Sequence, residues 1–231
     1  MITYVARDDS LGIRVPRSFI VEKARRLQLE LAKKVIKEDR LPPSLKLVGG
    51  VDVSYAEDAA FAAVAVLNYE DMKLVEAKCS AVKVRFPYVP TLLSFREAPA
   101  ILSVLKKLES TPDVYLIDGQ GVAHPYGFGL ASHVGVITKV PTIGVAKSRL
   151  FGKVTKRKPY SALISKGNEV VGVALTTKAG RRPIYVSVGH MVSLNRAVEI
   201  VKHCIKNDYQ TAKPIIMAHK LANEEKWKAR R

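Results

Sequence analysis

Residues 113–121 read DVYLIDGQG, an apolar run that ends in an aspartate and opens into a glycine-rich loop. The run Val114–Ile117 predicts a buried strand, which places Asp118 at its carboxyl end. A helix is predicted downstream over Phe128–Thr138, and a second strand over Thr142–Ala146. Strand, loop, helix and strand in this order indicate a parallel pair. Asp118 would then stand at the edge of the sheet where ligands of open α/β sheets bind.

Upstream of this unit, the pattern predicts three strands joined by short acidic turns, over Leu45–Tyr55, Ala60–Asn68 and Lys73–Arg85. Strands this close predict an antiparallel meander. The next segment, Thr91–Leu108, has the apolar spacing of a helix, which Pro99 should kink or split. A meander, a helix and then strand–helix–strand is the order of a ribonuclease H-like fold. We therefore predict an α/β protein with a mixed central β-sheet flanked by helices.

The two ends of the chain add further elements. An apolar stripe predicts a first helix over Pro16–Lys37, with Pro16 in its first turn. The basic stretch Lys153–Lys158, KVTKRK, is expected to be a loop. Two strands and two helices are predicted after it, near Glu169–Thr176, Ile184–Val188, Val192–Lys206 and Pro214–Lys226. A length of 231 residues favours a single domain over residues 1–231.

The charge balance limits the class of partner. Lys and Arg number 38 against 21 Asp and Glu, a formal net charge of +17. A basic surface gains binding free energy by releasing counterions from phosphate, so nucleic acid is the expected partner. The alternative is the solvated, lysine-rich surface of a thermophile protein. The longest apolar run, Ala59–Leu67, is too short for a membrane span, and no membrane partner is expected.

Cysteine usage and the N-terminus bear on the compartment. Cys79 and Cys204 lie far apart and form no CxxC pair, which argues against a disulfide framework or a cysteine-rich zinc site. The N-terminal MITYVARDDS is too polar for a signal peptide. We expect a cytoplasmic monomer.

Three acidic residues are candidates for the chemistry: Asp52, Glu97 and Asp118. Asp52 stands between two valines and faces away from both, where its burial costs free energy unless it is paired, hydrogen-bonded or bound to a cation. Each residue also has a structural alternative, namely an amide-capping Asp52, a turn-forming Asp118 and a surface Glu97. Together the three carboxylates suit Mg²⁺, which prefers oxygen ligands and assists phosphodiester hydrolysis.

The stretch 86–90, FPYVP, holds two aromatic side chains in a turn restrained by two prolines. An aromatic residue on such a turn could wedge into a base stack. The alternative is a strand-to-helix connection with packed rings. Among the histidines, His133 is expected to be a core or packing residue. His219 lies on the last predicted helix, where a lone histidine is more often structural than catalytic.

Three long blocks in this order resemble the endonuclease V family: FPYVPTLLSFREAPA, DVYLIDGQGVAHPYGFGLASHVG and PTIGVAKSRLFG. The upstream GVDVSY block fits the first strand of that family, and the resemblance covers residues Val48 to Leu221. It implies a ribonuclease H-like core and Mg²⁺ as cofactor, for which Mn²⁺ can substitute. It also implies hydrolysis of the second phosphodiester bond 3′ to a deaminated base such as deoxyinosine, leaving 3′-hydroxyl and 5′-phosphate ends.

The resemblance further implies roles for individual residues. Catalytic roles fall to the acidic cluster and one histidine: Asp52, Glu97, Asp118 and His219. Asp52 and Asp118 would be the principal metal ligands. Tyr88 would belong to a strand-separating wedge, and Lys147 would contact the nucleic-acid backbone near the scissile phosphate. The pocket for a flipped base would be bordered by residues that allow close approach of the backbone, together with one leucine: Leu93, Gly119, Gly121 and Gly129.

The sequence departs from the family pattern at two positions. Thr91 stands where the family usually has glycine, which would restrict the backbone and alter base selectivity. Tyr126 stands where many relatives have arginine, which would remove a phosphate contact. Three other functions stay open: an inosine-specific endoribonuclease, another ribonuclease H-like nuclease, and a nucleic-acid-binding protein without catalysis.

Overall fold

The computed structural model describes most of the chain, namely residues 4–8, 13–16, 21–157, 161–166, 169–177, 180–205 and 210–229. Within these residues the chain forms a nine-stranded sheet, a separate pair of strands and five helices. No helix in these ranges is long and apolar enough to cross a membrane.

The N-terminal region differs from its prediction. Helix α1 covers Val21–Ala32 and is therefore shorter than predicted at both ends. Pro16 is not in the first turn of this helix but ends a strand, because Ile13 and Val15 alternate with polar residues and pair with an earlier strand. Residues 17–20 of the predicted helix lie outside the described residues. The antiparallel pair consists of β1 (Tyr4–Asp8) and β2 (Ile13–Pro16).

The predicted meander is confirmed. Its three strands pair in the order β5-β4-β3, all antiparallel, with short turns between them. Most of the residues of the middle strand are fully buried, which agrees with its continuous apolar sequence. The strands are β3 (Leu47–Ala56), β4 (Ala59–Asn68) and β5 (Leu74–Lys83).

Helix α2 (Leu93–Leu105) follows the meander and runs through Pro99 without a break. The predicted split of this helix is therefore wrong. The flanking residues Ala98 and Ala100 are buried against the sheet. Their packing holds the turn that lacks one backbone hydrogen bond, since tertiary contacts supply most of the stability of a short helix.

The strand–helix–strand unit is also confirmed. It comprises β6 (Val114–Asp118), α3 (Leu130–Thr138) and β7 (Thr142–Ala146). Strand β6 pairs in parallel with β3 on one side and with β7 on the other. The central sheet is therefore mixed, and β6 is an interior strand, the fourth of the nine.

Four further strands complete the sheet in the order β7-β11-β10-β9-β8, all antiparallel. The basic stretch predicted as a loop is a strand instead, and its partner β9 was not predicted. Its basic side chains suit a strand at the edge of a sheet, where charge prevents pairing with another chain. Lys158 lies outside the described residues. The four strands are β8 (Lys153–Arg157), β9 (Ser161–Lys166), β10 (Glu169–Leu175) and β11 (Ile184–His190).

Helices cover both faces of the sheet. Helices α2 and α3 enclose one core, whose members include Val51, Ile101 and Ile117. The two predicted C-terminal helices are present as α4 (Leu194–Cys204) and α5 (Lys213–Lys228), and they enclose the other core. The predicted α/β fold with a mixed sheet flanked by helices is thus confirmed.

Candidate active site

A cavity of about 470 Å³ opens at the carboxyl end of β6, an interior strand of the sheet. Its walls come from β3, from the turn before α2, from α2 itself and from the segments that follow β6 and β7. All three acidic candidates line it: Asp52, Glu97 and Asp118. A volume of this size lies within the range of small-molecule pockets.

Asp52 and Asp118 are neighbours because β3 and β6 are parallel. Val51 is paired with Ile117 in the register of these strands, so the next residue of each strand projects from the same face. Val51 and Ile117 point into the core beneath α2 and α3. The two aspartates therefore project toward the opposite face, which α5 covers. This agrees with the prediction that Asp52 faces away from its flanking valines.

Helix α5 reaches the site because Gly50 lets its backbone approach β3. A Cβ atom on Gly50 would lie only 2.0 Å from the carbonyl carbon of Pro214. With the start of α5 held this close, His219 stands beside Asp52, and its Nδ1 lies 2.5 Å from Asp52 Oδ2. The carboxylate accepts this hydrogen bond from the imidazole. Asn223 Nδ2, one turn further along α5, lies 3.0 Å from His219 Nε2.

Glu97 is buried, with 9% of its surface exposed, and Asp52 is buried to a similar extent, at 8%. Burial above all, together with the negative charges of Asp52 and Asp118, raises the pKa of the Glu97 carboxyl to about 8, against the opposing hydrogen bond from Tyr55. The Tyr55 hydroxyl donates to Glu97 Oε1 at 3.2 Å. A glutamate that accepts a proton near neutral pH is typical of catalytic and cation-binding sites.

Lys147 supplies a positive charge to the same cluster. Its Nζ lies 2.7 Å from Asp118 Oδ2. Burial and the charge of Asp52 raise the pKa of Asp118, and the Lys147 ammonium acts in the opposite direction. Burial lowers the pKa of Lys147, but the hydrogen bond and the charge of Asp118 outweigh it, so the pKa of Lys147 is raised on balance. The ion pair with Asp118 thus holds the positively charged Lys147 ammonium at the mouth of an acidic cavity.

The carboxylates of the cavity suit a hard divalent cation whose coordination shell is completed by water and substrate. Among the described residues, no group of three or more His, Cys, Asp and Glu side chains is arranged to hold a metal ion by itself. Mg²⁺ does not need such a group, since one or two carboxylates, waters and substrate phosphates commonly bind it. Asp52 and Asp118 offer two carboxylates side by side, and their mutual repulsion is what a cation would relieve.

The residues expected to contact nucleic acid surround the cavity, with one exception. Tyr88 stands at the rim with 62% of its surface exposed. Leu93, Gly119 and Gly129 line the cavity beside it. Gly121 is not among the lining residues of the described chain, because a Cβ there would lie 2.0 Å from the carbonyl oxygen of Val188 in β11. Its role is close packing of the glycine-rich loop against the sheet.

Sequence reasoning missed several residues that line the cavity. Four of them directly follow residues that were assigned to the site, and this adjacency is a signal that could have identified them: Ser94, Gln120, Leu130 and Ser148. His124 and Leu150 became visible only from the three-dimensional arrangement. The set includes Ser94, Gln120, His124, Leu130, Ser148 and Leu150.

His133 is a packing residue, as expected. Its ring centroid lies 4.8 Å from that of Phe95 and 5.3 Å from that of Phe128. Burial lowers the pKa of His133 to about 4, so the ring is neutral at physiological pH. It therefore supports the helices behind the cavity and carries no charge toward it.

A model of the endonuclease V family matches residues 29–220. The chain belongs to the endonuclease V family. Endonuclease V of Thermofilum pendens is 45% identical over 206 residues, which cover 89% of each chain. Among solved structures, endonuclease V of Streptomyces avermitilis superposes with a TM-score of 0.86 at 37% identity, over 94% of this chain and 98% of that one.

A second solved relative was crystallised with nucleic acid. Endonuclease V of Ciona intestinalis, in complex with a 24mer DNA containing an inosine followed by a ribo-adenosine, has a TM-score of 0.81 at 33% identity, over 90% of this chain and 98% of that one. Membership of the endonuclease V family makes this chain an endonuclease, a hydrolase of phosphodiester bonds that acts in DNA repair. Enzymes of this family are generally metal-dependent.

Proposed function

We propose that this endonuclease recognises a deaminated base, chiefly deoxyinosine, and hydrolyses the second phosphodiester bond on its 3′ side, leaving 3′-hydroxyl and 5′-phosphate ends. One observation carries the proposal: an acidic cluster and an exposed aromatic turn face the same cavity, on a chain with a net charge of +17. The basic surface would attract the phosphate backbone, and the acidic cluster would tolerate that backbone only with a cation between them.

The cavity offers a reason to prefer a keto base over adenine. Helices α2 and α3 both begin at its wall, and neither N-terminus has a hydrogen bond from a capping side chain. Backbone N–H groups at a helix start carry partial positive charge and donate hydrogen bonds to an electronegative acceptor. The O6 atom of hypoxanthine meets that requirement, whereas the amino group of adenine does not. A flipped hypoxanthine therefore suits this wall better than adenine does.

Asp52 and Asp118 would hold Mg²⁺, or Mn²⁺ in its place, and Glu97 would complete the acidic cluster. When bound, the metal supplies a charge that activates water and stabilises the leaving oxygen. His219 would orient the Asp52 carboxylate through Nδ1, while Asn223 holds the other ring nitrogen, Nε2. Lys147 would pass from Asp118 to the incoming phosphate, since 55% of its side chain is exposed.

A nicking assay on 5′-labelled duplexes, with and without one deoxyinosine, tests the proposal in Mg²⁺ and in EDTA. We expect a nick one nucleotide beyond the inosine, only in Mg²⁺ and only in the modified duplex. Asp52→Asn and Asp118→Asn should each lower the rate by more than about 100-fold, the upper end of losses seen for outer-shell partners of metal ligands. Asp58→Asn, at an exposed turn, is the matched control. Nicking that persists in EDTA, or in either active-site variant, would remove the metal role.

An inosine-specific endoribonuclease is the second candidate. The Ciona complex supports it, since the nucleotide after the inosine there is a ribo-adenosine. The same assay on three substrates separates the candidates: deoxyinosine in DNA, inosine in RNA, and deoxyinosine followed by one ribonucleotide. A rate on the first substrate that equals the other two supports DNA repair. A rate that depends on the ribonucleotide supports the RNA enzyme.

The chain would act as a single domain and a cytoplasmic monomer. Strands from residue 47 to residue 190 share one sheet, which supports one folding unit. Both cysteines, Cys79 and Cys204, are free, as suits a reducing compartment. Light scattering coupled to gel filtration tests the monomer, with a mass of 25.4 kDa expected.

A further inference from the structure

Thr91 has a backbone conformation that is unusual for its residue type. Its φ is +67°, in the left-handed region, where a β-branched side chain is strained. The residue closes the turn that carries Tyr88, and both residues line the cavity. Some contact must therefore hold the turn in this conformation, because its own sequence disfavours it.

Helix α1 supplies that contact through Arg25. Its Nη2 donates to Thr91 Oγ1 at 2.7 Å, and the same hydroxyl donates to the carbonyl oxygen of Pro90 at 2.5 Å. One α-helical turn further on, Gln28 is fully buried, and its Nε2 donates to the carbonyl oxygen of Thr91 at 2.9 Å. Arg25 also donates to the side-chain oxygen of Gln28, so the two residues hold Thr91 as a unit.

The same two residues of α1 hold the loop on the other side of the cavity. The Arg25 guanidinium lies 3.6 Å from the centroid of the Tyr126 ring, which is the geometry of a cation–π contact. Gln28 Nε2 also donates to the carbonyl oxygen of Phe128 at 2.9 Å. Phe128 immediately precedes Gly129, where α3 begins at the cavity wall. Helix α1 thus joins the Tyr88 turn to the loop that borders the start of α3.

These contacts account for the two departures from the family pattern together. Thr91 and Tyr126 both contact the same guanidinium, and among the described residues no carboxylate forms an ion pair with it. A planar, delocalised cation can stack on a ring and donate hydrogen bonds in its own plane at once, which the ammonium of lysine cannot do. Arg25 is therefore the residue that contacts the side chains of both Thr91 and Tyr126, whereas Gln28 bonds only backbone carbonyls of the turn and the loop.

We propose that Arg25 is a positioning residue that holds Thr91 in its left-handed conformation and thereby fixes Tyr88 at the rim of the cavity for the opening of a base-paired duplex. The inference rests on the proposed function, since it assigns Tyr88 to duplex opening. It predicts that loss of Arg25 affects duplex substrates far more than single strands, because only a duplex needs a rigid wedge.

The test compares Arg25→Ala, Arg25→Lys and the control Arg26→Ala on single-stranded and duplex deoxyinosine substrates. Arg26 is exposed on the same helix, so its removal takes away the same charge. We expect Arg25→Ala to raise KM on the duplex about tenfold, the loss typical of one hydrogen bond to a charged donor, with kcat on single strands unchanged. Arg25→Lys should resemble Arg25→Ala, and Arg26→Ala should resemble the wild type.

A double variant checks that the effect passes through Thr91. Glycine adopts a positive φ without strain, so Thr91→Gly should make Arg25 less necessary. We expect Arg25→Ala to lower duplex cleavage by less than about twofold when Thr91 is already glycine. Additive losses in the double variant would overturn the proposal, as would equal losses on duplex and single strand.

Hydrogen exchange separates this inference from the proposed function, because it needs no substrate. The backbone N–H of Leu92 donates to the carbonyl oxygen of Val89 within the Tyr88 turn. Exchange of peptides covering residues 86–95 should accelerate in Arg25→Ala and stay unchanged in Arg26→Ala. If the wild type fails to nick inosine but this exchange accelerates, the proposed function fails and the positioning role stands. Unchanged exchange overturns the positioning role whatever the substrate.

Discussion

Replacing Glu97 with glutamine should stabilise the metal-free protein while it removes activity. The carboxyl of Glu97 has a pKa of about 8 in the folded protein, against an ordinary value of 4.5. The folded state therefore keeps a proton that the unfolded chain releases above pH 4.5. The stability that depends on this proton is fully present below pH 4.5 and is lost as the pH rises toward 8.

The magnitude follows from the interval between the two pKa values. Each pH unit above 4.5 costs the folded state about 1.4 kcal/mol, which amounts to roughly 3 kcal/mol at pH 7. Glutamine avoids this cost but still buries a polar amide, so we expect Glu97→Gln to gain about 1.5 kcal/mol. For a chain of this length, that corresponds to a rise of about 3–6 °C in Tm at pH 7.

Thermal unfolding in EDTA at pH 5, 7 and 8 measures the effect. The difference in Tm between Glu97→Gln and the wild type should grow with pH, whereas Glu224→Gln, at an exposed position on α5, should follow the wild type throughout. Addition of Mg²⁺ should raise the Tm of the wild type more than that of Glu97→Gln, because a bound cation offsets the repulsion within the cluster. A Tm difference that is independent of pH would refute the reasoning.

Three further outcomes are expected. Tyr88→Ala should weaken cleavage of a deoxyinosine duplex about tenfold and of a single strand by less than about threefold, since stacking on an aromatic ring matters where bases must be unstacked; equal losses in a nicking assay would count against a wedge. His133 has a pKa of about 4, below the ordinary 6.5, so the stability tied to its neutral ring is present above pH 6.5 and lost as the pH falls to 4. When the pH is lowered from 7 to 4.5, the free energy of unfolding, measured by urea titration, should therefore fall less in His133→Leu than in the wild type. An equal fall in both proteins would contradict this. Gly50→Ala should lower stability by about 3 kcal/mol and weaken the Asp52–His219 contact, because its methyl group would overlap the Pro214 backbone; a wild-type Tm would show that α5 can move away freely.

Much of the fold follows from local sequence patterns. The meander and the strand–helix–strand unit were predictable because Ala60–Asn68 and Val114–Ile117 are uninterrupted apolar runs with turn residues beside them. Strand β8 was not, since a run such as KVTKR has the composition of a solvated loop and becomes a strand only by pairing with β9. The predicted split at Pro99 was wrong for a similar reason, because the packing of α2 overrides the tendency of proline to break a helix.

The candidate site was predictable in part. Asp52 and Asp118 attract attention as charges beside apolar strands, but their adjacency depends on the parallel pairing of β3 with β6, which no local pattern specifies. Gly121 looked like its neighbours in the glycine-rich loop, and only the approach of β11 distinguishes it. Arg25 carried no signal at all, since its helix reads as an ordinary amphipathic surface helix.

The contact between Asp52 and His219 links residues that are 167 positions apart in the chain. Strand β3 leaves the ribosome well before α5 is synthesised, because synthesis runs from the N-terminus and the two elements lie more than 150 residues apart. Until α5 has emerged and docked on Gly50, the Asp52 carboxylate lacks its histidine partner. Every other residue assigned to the site, from Asp52 to Lys147, precedes α5 in the chain. The last helix is therefore the element that completes the site during synthesis.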